Sequence, residues 1–370
     1  MRRDFDVFVI GGGPAGLAAA IAARKRGFRV GLADISRPPI DKACGEGLLP
    51  ATLAALRKLG VHLGDEDGYV FDAIRFTDSQ YTVAASFAPE FAFGVRRTVL
   101  HQRMVECAAD CGVEFFWGTR VTRRAEFAVS ASGGTYGARW IIGADGGNSR
   151  VRQSAGMGSC VMQFRRFGFR QHYRVRPWSK SVEVYWADAA QVYVTPIGES
   201  EICLASVSRS PAVRVAEVAA HFPQLLARLR DAQPSSSEKG AVTAMHRLRR
   251  VFRGNVALIG DASGGVDAIT GDGICLSLHQ AVALAEALTR NDLRFYQREH
   301  RRLSRVPTWM GLQLLSMDGR PWLRRRVFSA LSAHPQLFGR LLSAHVGQAS
   351  FSDCIKTGAA LGLRLLAATA

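Results

Sequence analysis

The six residues Phe5–Ile10 (FDVFVI) run straight into Gly11-Gly12-Gly13-Pro14-Ala15-Gly16, and this junction restricts the fold more than any other stretch of the chain. A short, β-branched, almost wholly apolar run suits a parallel strand covered on both faces. An alanine-rich helical pattern follows to about Arg26, where Gly27 stops it, and residues 29–33 form a second apolar run ending at Asp34. Strand, glycine turn, helix and strand thus occupy the first 34 residues. Gly11 permits the tight turn, Gly13 lets backbone approach a pyrophosphate, and Gly16 lets helix and strand pack closely. The helix N-terminus then faces the negative charge. Asp34 stands 23 positions after Gly11, a spacing that suits a carboxylate accepting hydrogen bonds from an adenosine ribose.

Two later turns repeat the theme. Gly254-Asn255-Val256-Ala257-Leu258-Ile259-Gly260-Asp261-Ala262 is a buried-strand pattern ending in Gly-Asp, and Thr270-Gly271-Asp272-Gly273-Ile274 opens a long helix read over 274–288. Asp261 is placed to bond sugar or ribityl hydroxyls, with Gly271 and Gly273 at a second anion-receiving helix start. Between them lies Gly143-Ala144-Asp145-Gly146-Gly147-Asn148-Ser149-Arg150-Val151-Arg152. Helices are also expected over 50–59 and 98–111, and strands over 70–76, 81–87, 113–116, 120–130 and 138–142. Residues 161–208 read as a strand-rich antiparallel stretch.

These three motifs, in this order, resemble the FAD-dependent monooxygenases typified by para-hydroxybenzoate hydroxylase, whose fold is shared by geranylgeranyl reductases and flavin-dependent halogenases. The resemblance spans roughly residues 5–290. It implies an α/β fold: a discontinuous Rossmann-type FAD-binding domain (1–70, 95–160 and 242–290), an interleaved antiparallel-sheet substrate domain (71–94 and 161–241), and a basic helical C-terminal region (291–370). It further implies non-covalent FAD held by Gly11, Gly13, Gly16, Asp34, Arg97, Asp145, Asp261, Gly271 and Gly273. No second nucleotide-binding unit is visible in the sequence, so NADPH or NADH is expected only as a transient reductant. Metal ligands are not expected; Cys107 and Cys111, four apart, lack a second Cys/His pair nearby.

The segment Lys42-Ala43-Cys44-Gly45-Glu46-Gly47-Leu48-Leu49-Pro50 resembles a flavin-side loop of phenolic halogenases and of archaeal geranylgeranyl reductases. Cys44 and Glu46 are therefore candidate catalytic residues, unless they only support a loop shaped by Gly45 and Gly47. Halogenation is disfavoured, because Asp72 stands where that family's lysine is expected and Val192 to Gly198 lacks its tryptophan pair. The expectation is a monooxygenase that hydroxylates or epoxidises a hydrophobic aromatic, polyketide-like or isoprenoid molecule through a flavin hydroperoxide. The alternative is a C=C reductase in which Cys44 or Glu46 supplies the proton.

The formal charge of +17 comes from 42 arginines and only 6 lysines against 31 acidic residues, and 292–370 alone carries 12 basic and 4 acidic side chains. Such charge attracts anionic lipid, nucleic acid or acidic molecules, or is simply a solvated arginine surface. Nothing resembles a nucleic-acid-reading module, so specific nucleic-acid binding is not expected. Arg301, Arg302, Arg305 and Arg324 to Arg326 alternate with Trp309, Met310, Leu314, Leu315, Trp322 and Phe328. This C-terminal pattern fits helices lying on a membrane or acidic carrier protein, or packing one face on the domain. A flavin-binding scaffold is the non-enzyme alternative. The seven scattered cysteines read as reduced thiols, and no signal-peptide pattern or apolar spanning run is present; both point to a cytoplasmic protein, peripheral to a membrane if the basic helices bind one. The sequence leaves the oligomeric state open.

Overall fold

The computed structural model describes residues 4–125, 128–131, 134–158, 160–345 and 350–367. Its first sheet orders Phe252–Arg253, Val256–Leu258, Gly134–Gly143, Phe5–Ile10, Val30–Asp34 and Glu114–Trp117, all parallel except the edge pair at 252–258. Phe5–Ile10 is central because its side chains are apolar on both faces; Val7, Phe8 and Val9 have no exposure. Helix Pro14–Arg24 covers one face, with nine residues buried. Ala15 and its alanine-rich neighbours are small enough to bring this helix close to the Gly260 turn, where a Cβ on Gly260 would lie 2.7 Å from Ala15 Cβ.

The second sheet orders Gly264–Gly265, Lys239–Leu248, Cys160–Arg174, Glu201–Ser208, Ala190–Gly198, Ser181–Ala187, Ala73–Thr77 and Thr82–Ser86. It is antiparallel apart from the pairing of Ser181–Ala187 with Ala73–Thr77. The fold is the expected α/β arrangement of a parallel nucleotide-binding sheet, a mostly antiparallel second sheet and C-terminal helices. The pairing crosses two of the expected segment limits: residues 242–248 continue a strand of the second sheet, and Ala92–Val95 joins a small third sheet with Gly47–Leu48 and Gly68–Phe71. The run expected over 70–76 is two strands, because Asp72 interrupts the pairing. The strand expected over 120–130 is seen as Thr122–Ala125 and Ala128–Ala131, with 126–127 outside the described residues.

Among the described residues five helices follow: Leu293–Leu303, Arg305–Met317, Pro321–Ala333, Pro335–His345 and Phe351–Ala367. Leu315, Phe328, Leu331, Phe338 and Leu342 form one core with Phe71, Val182, Val184 and Trp186 of the sheets. Packing of an apolar face therefore holds for this region, while Arg301, Arg302, Arg305 and Arg325 stay exposed. Arg324 departs from the solvated pattern: it is 5 % exposed and bonds Asp188 at 2.9 Å, with Asp78 3.7 Å away. Among the described residues no helix is long and apolar enough to cross a membrane.

A Cβ on Gly16 would sit 1.8 Å from Gly11 O, and backbone cannot yield as a side-chain tip can. Gly16→Ala is expected to cost about 3 kcal/mol or more through overpacking, seen as a lower urea midpoint with an unchanged m-value.

Candidate active site

Parallel register aligns the strand ends. Ile10 is paired with both Ala33 and Gly143, and Gly143 with Leu258, so the three turns leave the sheet at one edge. Backbone bonds stitch them together: Gly11 N–H to Ala33 O (2.8 Å), Ala144 N–H to Ile10 O (2.7 Å) and Ile259 N–H to Gly143 O (3.0 Å). Ligands of open α/β sheets bind outside the carboxyl ends of the strands. Here that edge opens into a cleft of about 1620 Å³.

Each residue singled out in the sequence has a definite place. Gly11 adopts φ +114°, and a Cβ there would meet Ala144 O at 2.3 Å. Asp34 borders the cleft; its Oδ2 accepts the Gly12 N–H and its Oδ1 the Ser36 N–H, both at 2.7 Å. A carboxylate has lone pairs beyond these two for a ribose. Arg97 is 9 % exposed and borders the cleft, and its Nε has no hydrogen-bond partner among the described residues. Asp261, half exposed, pairs with Lys42 at 3.3 Å on the cleft wall. Asp145 is occupied differently. Its carboxylate accepts from Ser149 Oγ and from the N–H groups of Arg150 (2.7 Å) and Val151 (3.1 Å). It shapes the turn carrying Gly146 and Gly147 and also borders the cleft.

Glu46 also differs from a free acid. Its side chain has no exposure, and the residue holds φ +59°, a left-handed conformation uncommon for a residue with a Cβ. Oε1 accepts the Arg97 N–H at 2.9 Å, and Oε2 lies 2.7 Å from His172 Nε2. Arg170 Nε stands 3.7 Å away, and Arg170 in turn bonds Asp41 and His172 Nδ1. The carboxylate thus ties the 42–50 loop to the start of helix Arg97–Asp110 and to the second sheet. Cys44, by contrast, borders the cleft, its Sγ accepting the Glu46 N–H at 3.4 Å. Thr195 Oγ1 donates to Gly45 O at 2.7 Å, so the second sheet holds this loop from behind.

Several residues escaped sequence reasoning. His101 is fully buried, and its Nε2 lies 2.8 Å from Gly12 O. Burial pushes its imidazole below the usual value, so it stays neutral and supports the glycine turn. The signal was available, since His101 lies one turn after Arg97 on the same helix face. Arg152 donates to Gly147 O (2.6 Å) and Ala262 O (3.1 Å), stapling the second turn to the third. Arg166 bonds Asp267 at 3.0 Å in a fully buried pair. The C-terminal helices were not expected in the site at all, yet Trp309, Leu314, Phe328, Phe338, Leu342 and Leu361 form one limb of the cleft with Phe71, Phe76 and Val184.

The residues present fit FAD. Gly13, Gly146, Gly147, Gly271 and Gly273 all border the cleft, and a Cβ on any of them would meet nothing within 4 Å. Bare backbone therefore faces open space where a pyrophosphate and ring system need close approach. Arg97, whose buried Nε has no hydrogen-bond partner among the described residues, brings a guanidinium cation to the border of the same cleft.

The family described as FAD binding domain matches residues 4–291, and the chain belongs to it. It is an FAD-dependent oxidoreductase. Menaquinone reductase of Mycobacterium tuberculosis is 28 % identical over 322 residues, covering 78 % of this chain and 77 % of that protein. Squalene epoxidase 3 of Arabidopsis thaliana is 27 % identical over 316 residues, covering 76 % and 60 %. A flavoprotein/dehydrogenase structure from Cytophaga hutchinsonii superposes with a TM-score of 0.79 at 18 % identity over 92 % of each chain, a likeness of fold.

Gly13→Ala is expected to leave the FAD-free chain within about 0.5 kcal/mol of the original, since the added methyl meets no protein atom. FAD affinity should fall at least about tenfold, or ~1.4 kcal/mol, by flavin fluorescence titration.

Proposed function

We propose that the protein is an FAD-dependent reductase of C=C bonds in an isoprenoid lipid, either a free chain or the tail of a quinone. The observation that carries this reading is the apolar limb of the cleft. The C-terminal helices line it mainly with hydrocarbon and aromatic side chains, among them Trp309, Leu314, Phe328, Phe338 and Leu342, with Gln313, Ser316 and His345 as their polar side chains there. A ligand entering it sheds water along its length, which favours an extended apolar chain at about 25 cal/mol per Å² buried. A compact polar aromatic acid would leave its charge unpaired there. The relatives named for menaquinone and squalene, both isoprenoid compounds, support the substrate class, and the reductase is the more similar of the two.

FAD bound at the three turns would supply hydride, and a nicotinamide cofactor, NADPH or NADH, would regenerate it transiently from solvent. Gly11, Gly13 and Asp34 would hold the pyrophosphate and adenosine end, Gly16 acting only through the close packing behind that turn, with Arg97, Asp261, Gly271 and Gly273 around the remainder. Asp145 acts through the turn it caps. Glu46 is a positioning residue that orients the Arg97 helix start. Cys44 borders the cleft. The walls formed by Phe328, Phe338 and Leu342 exclude water from the chain being reduced.

Monooxygenation of the same lipid is the second reading, supported by the motif resemblance and by the epoxidase relative. The two separate cleanly. With flavin reduced anaerobically, an isoprenoid substrate should reoxidise it and gain two hydrogens across a C=C bond of its chain, seen as a lasting mass increase of two that reoxidation of any quinone ring does not reverse. Turnover only after oxygen is admitted, with one oxygen atom incorporated, would replace the reductase reading.

The same C-terminal region exposes Leu312, Trp322 and Ile355, and Arg320, Arg325 and Lys356 are exposed as well. An anionic bilayer is the partner this surface suits, and the source from which a lipid would enter. Trp322→Glu should lower co-sedimentation with phosphatidylglycerol vesicles about threefold or more, with flavin content unchanged.

A further inference from the structure

The register of the second sheet gives the apolar limb a direction and a length. Tyr193 is paired with Val184, and Val184 with Phe76, on three neighbouring strands. Directly paired residues stand on the same face of a sheet, and all three border the cleft. Val182 and Ile74, also paired, form a second row beside the first and line the cleft as well. Neighbouring strands lie about 4.8 Å apart, so the row from Tyr193 to Phe76 crosses roughly 10 Å.

The two ends of these rows differ in chemistry. At the near end Tyr193 Oη donates to Ile269 O at 3.3 Å, in the third turn just before Gly271. Thr195, on the same face of the same strand, donates to Gly45 O at 2.7 Å. Hydrogen bonds therefore fix this end to the two loops that the FAD fit involves. At the far end the next residues of the rows are Val83 and Ala85. Both are buried in the core shared with Phe328, Leu331 and Phe338. The Phe76 ring packs there against Phe338, Trp186 and Phe328, with centroids 5.1, 5.9 and 6.2 Å away. Hydrocarbon closes the row at Phe76.

We propose that the row Tyr193–Val184–Phe76 is a ruler that selects which double bond of an isoprenoid chain reacts. The chain enters tail first and stops against Phe76. The bond then held at the Tyr193 end is fixed by its distance from the tail, whatever the length of chain or the head group left outside. A polar head could not take the far end, where its oxygens would lose water and find no partner. Phe76 is a specificity-determining residue, and Val184 sets the depth between the two ends. The proposal rests on the isoprenoid reading and holds for reduction or oxygenation of the chain.

The test uses the full FAD-loaded chain, reduced with dithionite under argon and given farnesol, geranylgeraniol, or a short or a long menaquinone in detergent. Tandem mass spectrometry locates the first bond to gain hydrogen. It should be the same bond counted from the tail in every substrate, favoured at least about tenfold over any other. Phe76→Ala opens a cavity at the end of the row and should move the reduced bond one isoprene unit toward the head. Phe76→Leu, a gentler change for folding, should give a smaller share of the same shifted product. Val184→Phe fills the row nearer the loops and should move the bond toward the tail. A readout without turnover is fluorescence of the oxidised chain. Farnesol brominated at its tail should quench Trp186 and farnesol brominated at its head should not, a difference lost in Trp186→Phe.

A reduced bond fixed by its count from the head and unmoved in all three row variants would overturn the ruler and leave the reductase reading standing. Equal reduction of every bond would do the same. Turnover only with oxygen would overturn the reductase reading, and the count from the tail to the carbon that gains oxygen would then decide the ruler. An isoprenoid that neither reacts, with or without oxygen, nor quenches Trp186 would overturn the substrate class and the ruler together.

Discussion

The parallel register of the first sheet is the constraint on which the rest depends. Pairing Ile10 with both Ala33 and Gly143 forces three turns, far apart in sequence, to leave the sheet at one edge. A slip of one residue would turn each strand's side chains to the other face and carry the turns out of line. The glycines make the register usable. At Gly11 and Gly16 the backbones approach more closely than any Cβ allows, and at Gly13 and Gly273 backbone is left bare toward the cleft.

A small number of buried polar clamps convert that edge into a site. Arg152 joins the Gly147 and Ala262 carbonyls, and Arg166 joins the second sheet to Asp267 in the third turn. Glu46 joins the 42–50 loop to Arg97 and His172. Each buried charge is matched by an opposite charge or by several hydrogen bonds, the condition under which burial of an ion is tolerated. Such pairs add little net stability compared with apolar packing, but removing one partner strands the other. Their effect is therefore to fix the relative placement of two sheets and a loop. Glu46 holds a left-handed backbone conformation for the same reason, with its carboxylate and its carbonyl both bonded.

The C-terminal helices complete the molecule beyond the part that matches the FAD-binding family. Their apolar faces pack on the second sheet in one core, and part of that packed face also lines the cleft. Their outer faces keep most of the arginines. The +8 excess charge of 292–370 and the lining of the cleft are thus two sides of the same helices.

Much of this was legible in one dimension. Strand, glycine turn, helix and Asp34 appear in order because period, breaker residues and local spacing are properties of neighbouring residues. The helices over 50–59, 98–111 and 274–288 follow from the same local rules, as do the three glycine-and-aspartate motifs. What the sequence could not express is direction in space. Asp145 and Glu46 look like free carboxylates in a string of letters, and only packing shows one closing its own turn and the other buried among Arg97, Arg170 and His172. The C-terminal arginine pattern was compatible with a membrane face or a packed face, and tertiary contact alone made the apolar side a wall of the cleft. His345 and Asp272 are 73 positions apart, so no periodicity links them. They meet because one helix ends where another begins, and burial at that meeting pushes the Asp272 carboxyl up to about 6.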